Sequence, residues 1–184
     1  MTTVPEYATA ILNGARLRLR PLRTDDAQAL YTLFSDPSVT RYWSFAAWTR
    51  PAQALAFIEL RQSLDPQRVQ TFAIASGAGD DLIGTLTLFL LAGNRAEIGY
   101  ALAPAWQGRG LAAEALRLAV AHAFEALAVQ CIEADVDTRN QPSVRLLEGL
   151  GFRCVRQVSE RWRVGDEIGS SAIYQLRADA PPAA

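Results

Sequence analysis

Residues 97–114 run from a strand, through a loop that holds Gly108 and Gly110, into the start of a helix. What stands before and after that junction restricts the fold. Upstream, residues 16–20, 70–75, 82–91 and 96–102 read as strands. Arg16-Leu-Arg-Leu-Arg20 alternates at period two, and the later three are separated only by turn residues at 77–81 and by Gly93-Asn94. These four segments predict an antiparallel meander. Helices are expected at 27–34, begun by Thr24-Asp25-Asp26, and from Thr49 and Pro51 to about residue 64. Downstream the order is helix 110–127, strand 131–137, a short helix 142–149 stopped at Gly151-Phe152, and strands 153–163 and 168–177 around Gly165-Asp166. No linker or repeat interrupts this order, so one domain is expected over 1–184, with loose ends at 1–12 and 178–184.

The junction carries a chemical expectation. Free backbone N–H groups at a helix start, together with the positive end of the helix dipole, suit a pyrophosphate. Gly108, Gly110 and Ala112 are small enough for phosphates to approach the backbone, and Arg109 adds charge at the rim. Gly108-x-Gly110-x-x-Ala113 also satisfies the dinucleotide pattern GxGxxG/A. That pattern belongs at the opening of repeated βαβ units, whereas here it is followed by helix, strand, short helix and hairpin. The context therefore opposes a nicotinamide cofactor.

Composition excludes several other classes. Eighteen Lys plus Arg against 19 Asp plus Glu leave a net charge of −1, so no counterion-driven grip on nucleic acid is expected. Every basic residue is Arg. Cys131 and Cys154 stand alone, and His122 is the one histidine, placed on the polar edge of the 110–127 helix as a surface residue. A metal cluster, a disulfide framework and a Ser-His-Asp triad all lack the residues they need. The acidic row Glu133, Asp135 and Asp137 reads as the solvated face of a half-buried strand, and Glu114, Arg117 and Glu125 as the outer face of the helix before it. The first residues show no signal pattern, and the apolar run 82–92 is too short to span a bilayer; a cytoplasmic location is the expectation.

Two elements together bear a family resemblance. Gln107-x-x-Gly110-x-Ala112 resembles the Q/R-x-x-G-x-G/A coenzyme A loop of the GNAT acetyltransferases, and Asn140-Gln-Pro-Ser143 through Gly151-Phe152 resembles their later N-x-x-S element ending in G-F. Asp36-Pro37-Ser38-Val39-Thr40, the Glu97-Ile-Gly-Tyr100 strand and Ser143 look like the RimJ/RimL-type branch. The resemblance implies an α/β (α+β) fold: a mixed, mostly antiparallel twisted sheet flanked by helices and splayed between its fourth and fifth strands. It also implies transfer of an acetyl group from acetyl-coenzyme A to an amine, without a metal, by a monomer or homodimer.

The same resemblance assigns roles. Backbone groups at Leu102 and Ala103 would hold the pantetheine arm, with an N–H near Leu102 meeting the thioester oxygen. Gln107, Gly108, Arg109, Gly110, Leu111 and Ala112 would wrap the pyrophosphate, and Asn140 would bond the pantetheine side. Glu97 occupies a general-base position, and Glu160 is a second candidate. Many relatives place a proton-donating tyrosine where this chain has Leu147, and Ser143 fills that role in the RimJ/RimL-type branch. Tyr42, Trp43 and Trp48 would wall the acceptor pocket. An α-amine is about a tenth neutral at pH 7 and a lysine amine far less, so a modest base favours an N-terminal or small-molecule acceptor. The alternative is a coenzyme A-binding sensor or partner-binding module that has kept the fold without turnover.

Overall fold

A computed structural model describes residues 10–77 and 79–179. Eight strands form one sheet in the order β1-β2-β3-β4-β5-β6-β8-β7. They are β1 (Leu12–Asn13), β2 (Leu17–Pro21), β3 (Val69–Ser76), β4 (Leu82–Leu91), β5 (Arg95–Leu102), β6 (Cys131–Asp137), β7 (Arg153–Val164) and β8 (Glu167–Arg177). The helices are α1 (Ala27–Ser35), α2 (Pro37–Thr40), α3 (Ala52–Ser63), α4 (Leu111–Glu125) and α5 (Gln141–Gly149).

The meander is present, since β2 to β5 pair antiparallel in sequence order. Two short elements escaped the sequence reading. Leu12 pairs with Leu19, so the sheet begins within the stretch read as a loose leader. The first turn of α2 is fixed by Asp36, whose Oδ1 accepts from Ser38 N at 2.8 Å. The rest of the leader, residues 1–9, and the tail from residue 180 lie outside the described residues.

Alternation along β5 divides two apolar cores. Ala96, Ile98 and Leu102 join Leu111, Ala115, Leu116 and Ala119 of α4 on one side. Ala101 joins Leu30, Leu33 and Phe34 of α1 and Ala54 and Ile58 of α3 on the other. Between β5 and β6 the sheet opens. The two strands run parallel and pair only through residues 95–97 with 131–133, then diverge. This is the expected splay, and a crevice at the carboxyl ends of parallel strands is a ready ligand site.

Three outward-facing assignments need correction. Glu114 does not point to solvent: its Oε1 accepts from Arg16 N and its Oε2 from Arg16 Nε, both at 2.8 Å. Arg16 also donates to the Arg109 carbonyl at 2.8 Å, so this clamp ties the entry of β2 to the loop before α4. His122 is half-buried, bonded to Gln70 Oε1 at 2.9 Å and edge-on to Phe72, and burial lowers its pKa. The acidic row of β6 is likewise only partly solvated. Asp137 is 3% exposed and is held by Arg139 through bonds of 2.8 and 3.0 Å.

Buried charge fixes the far edge of the sheet. Arg20, 2% exposed, forms a bidentate pair with Asp26 at 2.7 and 2.8 Å. Asp80 accepts from Arg18, Arg20 and Arg23, which together hold its carboxyl far below the usual range.

Candidate active site

The loop between β5 and α4 is built on left-handed glycines. Gly108 has φ +70° and Gly110 φ +74°, a region that penalises a Cβ. Gln107 anchors its start, donating from Nε2 to the Leu102 carbonyl at 2.8 Å. Among the described residues, no acceptor takes the backbone N–H of residues 108–113. Six successive free amides at the N-terminus of a fifteen-residue helix form a cradle of donors of the kind that suits anionic oxygens. Arg109 lies at the rim, its guanidinium 5.4 Å from the Trp106 ring centre.

Backbone direction decides what β5 offers the crevice. The Ala103 N–H donates to the Ile83 carbonyl at 2.9 Å, and its own carbonyl accepts from Trp106 N at 2.8 Å. The Ala103 amide is thus spent within the fold, and of its backbone groups only the carbonyl, with its second lone pair, remains for the role expected of it. With Thr85 opposite Ala101, the amides of Gly99 and Ala101 turn toward β4, and those of Ile98, Tyr100 and Leu102 turn toward β6. Because β6 has diverged there, the Leu102 N–H faces the open crevice.

Two cavities meet at this opening. One, of about 560 Å³, is bordered by Leu102, Gln107, Gly108, Gly110, Leu111 and Ala112, with Pro142, Arg145 and Leu146 of α5 opposite. The other, of about 510 Å³, lies on the α3 side and contains Glu97, Asp135, Arg61, Arg161 and Trp162. Tyr42, Trp43, Tyr100, Asn140 and Ser143 belong to both. At the junction, Tyr100 Oη and Ser143 Oγ are 2.6 Å apart, and either can donate. Burial pushes the Tyr100 phenol up to about 12, so it stays neutral across the physiological range. Asn140 caps α5 by accepting from Ser143 N at 3.3 Å, which sets the serine's position. Leu147 is fully buried in the core and takes no part in the site.

The structure sorts the remaining candidates. Glu97 reaches the α3-side cavity, where partial desolvation and the nearby Asp135 raise its pKa against the opposing pull of Arg161. Glu160 borders neither cavity: it is exposed, at φ +51° in the bulge between Val158 and Trp162, and its neighbours Arg161 and Trp162 line the site instead. Trp48 packs against Phe34 with ring centres 4.9 Å apart and against Phe57 at 5.7 Å, so it supports the second core and lines neither cavity. Tyr42 and Trp43 do reach the junction. Sequence reasoning missed Tyr100, although alternation along the strand that carries Glu97 puts Tyr100, three residues on, on the opposite face. Neither cysteine lines a cavity; Cys131 is buried at the start of β6 and Cys154 is exposed on β7. Among the described residues no cluster of ligands fits a metal ion, and no helix is long and apolar enough to cross a membrane.

Comparison with known proteins bears on the same features. Residues 16–153 match the family model described as the acetyltransferase (GNAT) domain, a span that includes both the glycine loop and the Asn140–Ser143 cap. The N-acetyltransferase p20 of Bacillus licheniformis is 35% identical over 141 residues, covering 75% of this chain and 79% of that protein. Spermidine N(1)-acetyltransferase of Escherichia coli K12 is 29% identical over 140 residues, covering 74% and 72%. The solved structure of Mycobacterium smegmatis RimJ in complex with CoA-disulfide is alike in fold, with a TM-score of 0.83 at 22% identity, covering 93% of this chain and 88% of that one. A splayed sheet with a free-amide cradle at its crevice, matched by this family model over most of the chain, makes the protein a member of the GNAT family of N-acetyltransferases.

Proposed function

We propose that this enzyme transfers an acetyl group from acetyl-coenzyme A directly to a primary amine, within a complex that holds both. The observation that carries the reading is the junction of two cavities at the Tyr100–Ser143 hydrogen bond. One cavity ends on the amide cradle and suits a pyrophosphate and its pantetheine arm. The other presents an acidic group to an amine.

Acetyl-coenzyme A supplies an activated acyl group as a thioester. The Leu102 N–H faces the crevice where that group would lie and can stabilise charge developing on its oxygen. Glu97 is the proton acceptor of the α3-side cavity, and its raised pKa moves it toward that of the protonated amine it must relieve. Ser143 stands at the junction and can return a proton to the departing thiolate, with Tyr100 behind it. The serine hydroxyl is bonded to a neutral phenol rather than to a histidine or carboxylate, so it is not activated as a nucleophile. Direct attack by the amine follows. The Asp36-Pro37-Ser38 stretch and Ser143 favour the RimJ/RimL-type branch.

The first experiment is calorimetric titration with acetyl-coenzyme A, with NADH in parallel. Micromolar binding of acetyl-coenzyme A alone is expected, and Ala112→Glu is expected to abolish it. Ala112 lies in the first turn of the helix and borders the cradle, so the change adds charge without the backbone strain that Gly108 or Gly110 would suffer. Undiminished binding in that variant would refute the location of the cradle.

A further inference from the structure

The charges of the α3-side cavity fall into pairs with one exception of each sign. Asp135 accepts from Arg161 Nε at 3.2 Å, and Asp137 is held by Arg139. Glu97 and Arg61 remain, and among the described residues neither side chain makes a hydrogen bond or an ion pair. They do not neutralise each other, since Arg161 is the cation that acts on Glu97.

Arg61 is held in an unusual way. It leaves the last turn of α3 with its guanidinium 4.8 Å from the Phe57 ring centre and 5.3 Å from that of Phe89. Its Nε is buried without an acceptor, and desolvation lowers its pKa. Aromatic faces and a helix C-terminus both attract a cation, which accounts for its placement. They do not supply the in-plane oxygens that a guanidinium fork is shaped to bind. A half-buried cation lining a cavity with its donors unused is a site for an anion that the fold itself does not contain.

Register gives this site a position. Phe89 lies opposite Glu97, three residues along β5 from Tyr100. At 3.3–3.4 Å per residue that row is roughly 10 Å from the junction, so Glu97 takes the proton of an amine held at the junction through water rather than by direct contact. We infer that the acceptor is a primary amine whose molecule also carries a carboxylate or comparable anionic oxygen group, which Arg61 receives at the end of the cavity away from Tyr100 and Ser143. The inference rests on the proposed acetyl transfer and narrows its substrate to amines with an anionic tail several bonds from the nitrogen.

Three amines of matched length test it: 5-aminopentanoate, 1-aminopentane and 1,5-diaminopentane, with anionic, neutral and cationic tails. Release of the coenzyme A thiol is followed at saturating acetyl-coenzyme A. The expected order of kcat/KM is anionic, neutral, cationic, with the anionic amine at least tenfold above the neutral one. In Arg61→Gln that ratio collapses toward one through a higher KM for the anionic amine, and Arg61→Lys retains part of it. A ratio is insensitive to partial loss of folded protein, so it stays readable if a variant is less stable. The inference is overturned if the anionic amine is not the best of the three, turnover of none included, or if Arg61→Gln leaves the ratio intact. Failure of the transfer reaction itself is read separately: binding of acetyl-coenzyme A with no thiol release from any member of a broad panel of small-molecule amines and peptide N-termini would refute the transfer, whereas thiol release with other amines but not preferentially with the anionic one refutes only this inference.

Discussion

Replacing Ser143 by Ala and Tyr100 by Phe, singly and together, tests whether the two hydroxyls act as one unit. Their oxygens are 2.6 Å apart at the meeting point of the cavities, and no other side-chain hydrogen bond reaches either of them. If Ser143 delivers the proton and Tyr100 orients or resupplies it, each single change should lower kcat by about 10²-fold, the low end for a positioned proton donor. That corresponds to about 2.7 kcal/mol of barrier. The double variant should then be little slower than either single one, giving a coupling energy of about 2.7 kcal/mol. Independent roles would instead multiply to about 10⁴-fold. The assay is steady-state turnover at saturating acetyl-coenzyme A, with the dissociation constant measured alongside and expected to change little. Because the phenol is pushed up to about 12, the defect should be the same at pH 6.5 and pH 8.5. Wild-type kcat in Ser143→Ala, or a double variant at the product of the singles, would refute the relay. Unfolding offers a second readout. Ser143→Ala leaves the buried phenol without a partner and should melt below the double variant, in which neither hydroxyl remains.

Glu97→Gln should lower turnover at neutral pH while leaving thermal stability unchanged or slightly higher. The folded protein holds this proton more tightly than the unfolded chain, so its contribution to stability is present at low pH and is lost as pH rises through the raised pKa; a lower melting point with full activity would contradict this. Asp26→Ala removes the bidentate partner of a guanidinium that is 2% exposed, expected to cost about 3–5 kcal/mol. For 184 residues that is a fall in Tm of roughly 8–13 °C by circular dichroism, and a shift below about 3 °C would show that Asp80 alone suffices.

The parts of the molecule legible in sequence share a physical character. The period-two run of β2, the turn-bounded strands β3 to β5, the stop at Gly151-Phe152 and the glycines of the loop all depend on backbone conformation within a few residues. Composition and spacing report such features directly. The splay was reached through the family resemblance, and the pairing of β5 with β6 over only three residues on each strand bears it out.

What the sequence could not supply depends on which residues the sheet brings together. Tyr100 and Ser143 are 43 positions apart and meet only because α5 lies over the mouth of the opened sheet. Trp48 and Trp43 read alike in sequence and both pack against Phe34, yet only Trp43 also reaches the cavities. Glu160 sits on the strand expected, but a bulge turns it away from the site. Ala103 lies beside Leu102, and alternation of hydrogen bonds gives its amide to β4 while leaving that of Leu102 open. Arg61 carries no distinguishing signal in the sequence, and only tertiary packing sets it between two phenylalanines in a cavity wall. Local sequence determined most of the elements, the glycine loop and the family, because those rest on short-range conformation and local motifs. Register, strand divergence and side-chain packing decided the junction, the α3-side cavity and its unpaired charges, because each is a contact between residues distant in the chain.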